Sequence, residues 1–434
     1  MDTKLEKLIE YSLYFFVFLL PFQTKYIIFS AEQNYNEVAI YLNYVIVLFL
    51  SFLFFIYFYQ KNKNTKDFEI PKHYLIIIGL DLFIFVSIFV SPILSVSLFK
   101  YLLFLFSVSL FFVLLNFNIN LRKILLFFIL GVFLHSSVAV AQFFLQTDFS
   151  NKYLGGSLHD PSVLGTSVIE LNEGRFLRSY GLLDHPNILG AVVFFALISV
   201  VFLLIKYNFN FWQKISIYFI YFILLLSLLT SFSRSAWLAF SISFLIIFFS
   251  LIIKKDKGIF QKFIPFLSYS VLFIVVFLFI LNSFIFSRFN LDSRLEEKSI
   301  NERVGQINYS REIIGDHLWF GSGLGAYHQT LLDANPNLKT YEAQPVHNTF
   351  LLVFSEIGLW GFIFFVWFFL YLFKKSLAGE NYFINLSLFS GLLIFMIFDH
   401  WLWSLPFGLL FLFFILGISL NISSDSYKFI AKNE

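Results

Sequence analysis

The sequence predicts an all-α integral membrane protein of about twelve transmembrane helices, one polytopic membrane domain over residues 1–434 with two long extracytoplasmic loops. Three observations predict it. Hydrophobic residues make up 59% of the chain and mean hydropathy is +0.80, well outside the soluble range. Apolar runs of the roughly 20 residues needed to cross a bilayer recur throughout. Lysines gather in every second connection between those runs.

The spans fall near 9–30, 38–59, 74–94, 97–117, 122–147, 186–205, 211–230, 235–253, 264–286, 346–373, 380–398 and 404–422. Lys4 and Lys7 precede the first. Lys61, Lys63, Lys66 and Lys72 fill the second connection, and Lys428 and Lys432 follow the last span. Arg122 and Lys123, Lys206 and Lys214, then Lys254, Lys255, Lys257 and Lys262, and finally Lys374 and Lys375 mark alternate connections between. Placing both termini in the cytoplasm puts all these clusters inside, as the positive-inside rule requires. The first span is long and lacks a small-residue cleavage site, which predicts a retained helix rather than a signal peptide.

Two long connections then lie outside, 148–185 and 287–345. Shorter outer corners surround Arg234, Asp399–His400 and Glu32. Trp401 and Trp403 fall at an outer membrane edge, where an aromatic belt is expected. Seven of the eight arginines are outside: Arg175, Arg178, Arg234, Arg288, Arg294, Arg303 and Arg311, with only Arg122 inside. A guanidinium grips phosphate at two points, which an ammonium cannot do. This excess predicts a phosphate or pyrophosphate held at the outer lipid surface. The absence of cysteine excludes disulfides and thiol catalysis, and the net charge of +3 gives no sign of nucleic acid. The 66 phenylalanines carry no functional weight.

Four outer segments carry candidate chemistry. Arg178-Ser-Tyr-Gly leads to His185-Pro186-Asn187, where proline opens a span; the exposed amides of that helix start, with Arg178, make an anion site. Arg234 sits in a short turn between two spans, costly against lipid and therefore directed into a polar cavity. Asn301-Glu302-Arg303 begins an amphipathic helix over about 302–316 that carries Arg311 and ends in Gly321-Ser-Gly-Leu-Gly325. Finally His347-Asn348 opens a span containing Gly358 and Gly361, small residues that admit a close neighbouring helix. Eleven residues separate His347 from Gly358, about three turns on one face. A helix N-terminus and nearby arginines disfavour imidazolium, leaving His347 a neutral base. Asp81, His135, Gln142 and Glu356 stand inside spans, able to line a cavity or mark an ion pathway, with Asp81 and His135 a possible structural pair.

From about Gln142 to Gly417 these segments resemble the O-antigen ligase and polymerase superfamily of bacterial membrane glycosyltransferases. His347-Asn348, nine residues, Gly358, two residues, Gly361 is similar to the ligase-type histidine pattern. Arg178-Ser-Tyr-Gly with His185-Pro186-Asn187, Ser233-Arg234-Ser235, Arg303 with the Gly321–Gly325 turn, and Asp399-His400-Trp401-Leu-Trp403 resemble further signatures. Two features depart from it: no proline follows His317, and no tryptophan closely follows Arg303. The resemblance implies a GT-C-type fold in the bacterial cytoplasmic membrane with its active site on the outer face. It implies an undecaprenyl-diphosphate-linked glycan as donor and a carbohydrate or lipid-linked acceptor. Arg178, Arg234 and Arg303 would bind the pyrophosphate and His347 would be the base. Asn348, His185, Asn187, Arg311, Gly358 and Gly361 would support them. Direct displacement would invert the anomeric carbon, and no Asp-x-Asp pair occurs, so the expected transfer needs neither metal nor cofactor. A polymerase using the same donor is the alternative within this chemistry. A lipid-linked glycan transporter is the alternative outside it, disfavoured because the polar groups concentrate at one face and no inverted repeat is visible.

Overall fold

The computed structural model describes residues 3–29, 37–63, 71–290 and 294–430. Sixteen helices and two small hairpins make up this part of the chain. They are α1 (Thr3–Leu19), β1 (Lys25–Phe29), β2 (Val38–Tyr41), α2 (Leu42–Asn62), α3 (Lys72–Ile88), α4 (Leu94–Asn116) and α5 (Leu121–Leu145). Next come β3 (Val168–Leu171), β4 (Gly174–Leu177), α6 (Pro186–Lys206), α7 (Phe211–Thr230), α8 (Arg234–Lys254), α9 (Lys257–Ile280) and α10 (Asn282–Phe289). The chain continues through α11 (Arg294–Asp316), α12 (Tyr327–Ala334), α13 (Thr349–Ser376), α14 (Tyr382–Phe398), α15 (Trp401–Ser404) and α16 (Pro406–Ile430).

Nine of the described helices are long and apolar enough to cross a membrane: α2, α4 to α9, α13 and α16 over Pro406–Ser423. Helices α1, α3 and α14, each of 17 residues, stand where the remaining spans are expected and reach about 25 Å at 1.5 Å per residue. Helix α6 is the axis of the bundle. It packs on α5, α7, α8, α9 and α14, and its apolar window is 100% buried within the protein.

The first expected span is shorter than its apolar run. Helix α1 stops at Leu19 because Pro21 cannot donate to a further helical turn. Residues rich in aromatic and β-branched side chains then form β1, antiparallel to β2 with Lys25 opposite Tyr41 and Ile27 opposite Ala39. The Glu32 loop and Lys66, Lys432 and the Lys428 side chain lie outside the described residues. In the first of the two long connections, β3 pairs antiparallel with β4, Val168 opposite Leu177. In the second, the amphipathic helix begins eight residues before its expected start, at Arg294.

Helix α13 differs most from expectation. It begins at Thr349, after His347, and is interrupted at Gly358, whose φ of 68° and ψ of −174° are not helical. The two residues therefore do not share a helix face. Leu359 N–H donates to Leu318 at 2.8 Å, while the Ser355 and Glu356 carbonyls accept from Ser322 and Gly323 at 2.8 and 2.9 Å. Backbone meets backbone here: a Cβ on Gly358 would lie 2.5 Å from the Gly321 nitrogen. Only glycine permits that φ together with that approach.

The polar groups inside spans are stitches. Asp81 accepts from Tyr101, at 3.3 Å, rather than pairing with His135. His135 packs edge-on against Phe22 with ring centroids 4.5 Å apart. Gln142 accepts from Tyr180 and Gly181 N–H at 3.1 and 2.8 Å and donates to the Gly181 carbonyl at 2.9 Å, pinning the loop after Arg178. Glu356 accepts from Trp403 Nε1 at 2.8 Å. Trp401 and Trp403 are buried in the protein, so they form no belt against lipid; each packs on aromatic rings of α16 or α13.

Candidate active site

The N-terminal ends of α6, α8 and α13, the corner between α14 and α15, and one face of α11 meet at a single place. Helix α6 is capped by His185, whose Nδ1 accepts from Asn187 N–H at 3.1 Å, with Pro186 in the first turn. The Ile188 and Leu189 amides bond the His185 carbonyl. These amides are already used, so the segment offers an anion Arg178 rather than a helix end. Arg178, directly after β4, is 5% exposed. Its Nε donates to the Ser231 carbonyl at 2.9 Å and its Nη2 to Asn187 Oδ1 at 3.1 Å.

Arg234 opens α8 and avoids lipid. Its Nη2 lies 2.8 Å from Glu296 Oε2 on α11, and its Nη1 donates to the Arg288 carbonyl at 3.3 Å. The Arg288 guanidinium bonds the same Glu296. Burial disfavours the charged form of Arg178, and the neighbouring Arg288 and Arg234 push the same way against Glu296. Burial likewise lowers Arg303, opposed by Asp399 and reinforced by Arg234. Guanidinium stays protonated in proteins, so these shifts mark charge in need of an anion. Among the described residues, the carboxylates that act on this group of four guanidiniums are Glu296 and Asp399.

His347 stands beside this charge and is partly exposed. Its Nδ1 lies 2.8 Å from Gln306 Oε1 on α11, and its ring meets His400 edge-on at 5.0 Å. Asn348 caps α13 by accepting from Leu351 N–H at 3.0 Å and donates to the Ile397 carbonyl at 3.1 Å. Thr349 donates to the Asp399 carbonyl at 2.8 Å. These bonds tie the start of α13 to the α14–α15 corner. There Asp399 accepts from His400 N–H at 2.8 Å and from Asn187 at 3.4 Å. His400 Nδ1 sits 2.7 Å from Ser404 Oγ.

Burial pushes the His347 imidazole below its ordinary range. Arg303 adds to that, while Asp399 and Glu302 oppose it. His347 is therefore a neutral ring at pH 7, and burial is the main cause. Burial also takes His400 down to about 4 and, with Arg178, His185 down to about 3. Burial works against an ionised Asp399, but the surrounding His400, His347 and His185 and the His400 N–H hold it below the usual carboxylate range.

The structure brings together Arg178, Arg234, Arg303, His185, Asn187, His347 and Asn348. Arg311 is exposed on α11, eight residues beyond Arg303. Gly358 and Gly361 lie deeper in α13, where they serve the break in the helix. Sequence reasoning did not select Gln306, Glu296, Arg288, Asp399 or His400 for the site. One ring nitrogen each of His347 and His400 and one Asp399 oxygen lie within 4.8 Å of one another, near enough together to hold a metal ion.

Comparison with known proteins gives one family. Residues 219–366 match the O-antigen ligase family. This stretch is similar to an O-antigen ligase domain. The O-antigen ligase match runs from α7 into α13 and contains Arg234, Arg288, Glu296, Arg303, Gln306 and His347; Arg178, His185, Asp399 and His400 lie outside it. No curated protein matches the chain.

Proposed function

We propose that this protein is an O-antigen ligase-like glycosyltransferase. It transfers a glycan from undecaprenyl diphosphate to an acceptor hydroxyl at the outer face of the bacterial cytoplasmic membrane. The observation that carries the proposal is the excess of guanidinium, buried at Arg178 and half-buried at Arg234, Arg288 and Arg303, beside a neutral, partly exposed His347. A diphosphate satisfies that charge, and its departure needs the charge most in the transition state.

The chemistry balances within this set of residues. His347 takes the proton of the acceptor hydroxyl. The acceptor oxygen bonds to the anomeric carbon as the bond from that carbon to the diphosphate oxygen breaks. The electron pair leaves on the diphosphate, which Arg178, Arg234 and Arg303 stabilise. Direct displacement inverts the anomeric carbon. The proposal has twelve spans, both termini in the cytoplasm and no metal in the reaction.

The test uses the purified full chain in detergent with EDTA, lipid-linked glycan and candidate acceptors, following release of undecaprenyl diphosphate. Acceptor-dependent release that survives EDTA, and falls about 10²- to 10⁴-fold in His347→Ala with donor KM unchanged, is the expected result. Loss of release with EDTA, restored by a divalent metal, would reassign the His347, Asp399 and His400 group to a cation. An elongated lipid-linked product would make the enzyme a polymerase. Tight donor binding with no release for any acceptor would favour a transporter.

A further inference from the structure

Gln306 lies on α11 three residues beyond Arg303 and is 6% exposed. Its side-chain oxygen contacts two nitrogens of one residue: the His347 backbone N–H at 3.4 Å and His347 Nδ1 at 2.8 Å. A peptide N–H can only donate, so the end of the amide turned toward it is oxygen and not NH2. That oxygen accepts, so the nitrogen it meets at 2.8 Å must carry a proton. Neutral imidazole has a single proton. With it held at Nδ1, the lone pair is at Nε2, which bonds nothing among the described residues.

We infer that Gln306 is a positioning residue that fixes His347 as the Nδ1–H tautomer and aims Nε2 as the base toward the acceptor. The inference rests on the glycosyl-transfer reading and adds the atom that takes the proton and the group that selects it. The hydrogen bond made by one ring nitrogen sets what the other can do. Here the partner is neutral. A carboxylate in its place would favour imidazolium before an acceptor arrives, and His347 already faces Glu302 and Arg303 from α11 and Asp399 and His400 from the α14–α15 corner. An amide orients the ring without adding to that negative charge. It also explains why Gln306 follows Arg303 so closely: one turn of α11 supplies both the phosphate cation and the orienter of the base.

The test compares Gln306→Met and Gln306→Glu in the full chain, with the same donor and acceptor. Methionine matches glutamine in length but gives the Nδ1 proton nothing to bond, whereas glutamate accepts as the amide does. The expected result is a kcat about 10- to 100-fold lower for Gln306→Met, a part of what a general base contributes, with donor KM unchanged. Gln306→Glu should recover part of that loss, and most of it at alkaline pH, where the ring stays neutral beside the added carboxylate. If Gln306 merely fills space, methionine will be tolerated better than a buried carboxylate, and that reversed order would overturn the inference. A second readout uses the His347→Ala background, where Gln306→Met should cost nothing more because both act through one ring; an additional loss would also overturn it. The two readings separate cleanly. Full activity in His347→Ala would sink the base itself, whereas an inactive His347→Ala beside a fully active Gln306→Met would sink only the role of Gln306.

Discussion

His185 and His347 are the same residue in almost the same place: each stands just before a helix start and is followed within two residues by an asparagine. Their surroundings give them opposite roles. His185 has both ring nitrogens engaged, Nδ1 by the Asn187 N–H at 3.1 Å and Nε2 by Ser167 Oγ at 2.9 Å. It is the cap of its helix. At α13 the cap is Asn348, which frees the histidine before it. His347 then needs only one nitrogen, Nδ1, to be held. A histidine at a helix start becomes available for chemistry when a neighbour takes over the capping.

The sharpest way to break this comparison is the same substitution at both positions. Asparagine is a good cap and a poor base. His347→Asn should lose about 10²- to 10⁴-fold in kcat. His185→Asn should keep the helix capped and stay within several-fold of the parent enzyme, whereas His185→Ala should lose about 0.5–2 kcal/mol of stability, read as thermal unfolding in detergent. Equal losses for the two asparagine variants would mean that His185 also does chemistry.

Arg178→Lys probes the link between the start of α6 and the turn between α7 and α8. Arg178 holds the Ser231 carbonyl through Nε and Asn187 through Nη2, and a lysine cannot make both bonds while presenting a fork to phosphate. A loss of about 10²-fold in kcat/KM is expected, on the scale of removing one transition-state donor. Retained activity would show that positive charge alone suffices.

The smallest expected effect is in pH. The His347 imidazole is depressed by burial, with Arg303 contributing. A depressed group stays neutral, and so able to accept a proton, at pH values below 6.5. The kcat of transfer should therefore hold steady as pH falls through 6.5 and decline only below it, as His347 takes up its proton. His185, lower still at about 3, should contribute nothing to that limb. A decline centred at or above 6.5 would contradict the electrostatics of the site.

The parts of this molecule that were legible in the sequence are those set by local pattern. Apolar run length located the nine described helices long enough to cross a membrane, and Pro186 marked the start of α6. Run length failed where it meets a competing local rule: Pro21 ends α1, and the apolar residues after it pair as strands. The eleven-residue spacing between His347 and Gly358 failed because it presumes one continuous helix, which starts only at Thr349 and breaks at Gly358. Asp81 and His135 were matched by type, yet their partners are set by packing, with Tyr101 beside one and Phe22 beside the other. Gln306 is a tertiary partner, 41 residues from His347. The one local sign of it was a glutamine among Val304, Ile307 and Ile313 on an amphipathic helix.

Helix α6 has the highest mean hydropathy of the nine candidate spans, yet all of that window is covered by protein, while only 22% of the corresponding window of α9 is. Lipid is as apolar as leucine, so hydrophobicity does not sort helices between the centre and the edge of a membrane protein. The two should then age differently under mutation. Along α9 one apolar side chain should replace another with little effect, because lipid adapts to either. Along α6 volume is fixed by five surrounding helices, and even an exchange such as Ala191→Val would add the bulk of two methyl groups to an already close-packed interior. The most hydrophobic segment of this chain is thus the one with the least freedom to vary.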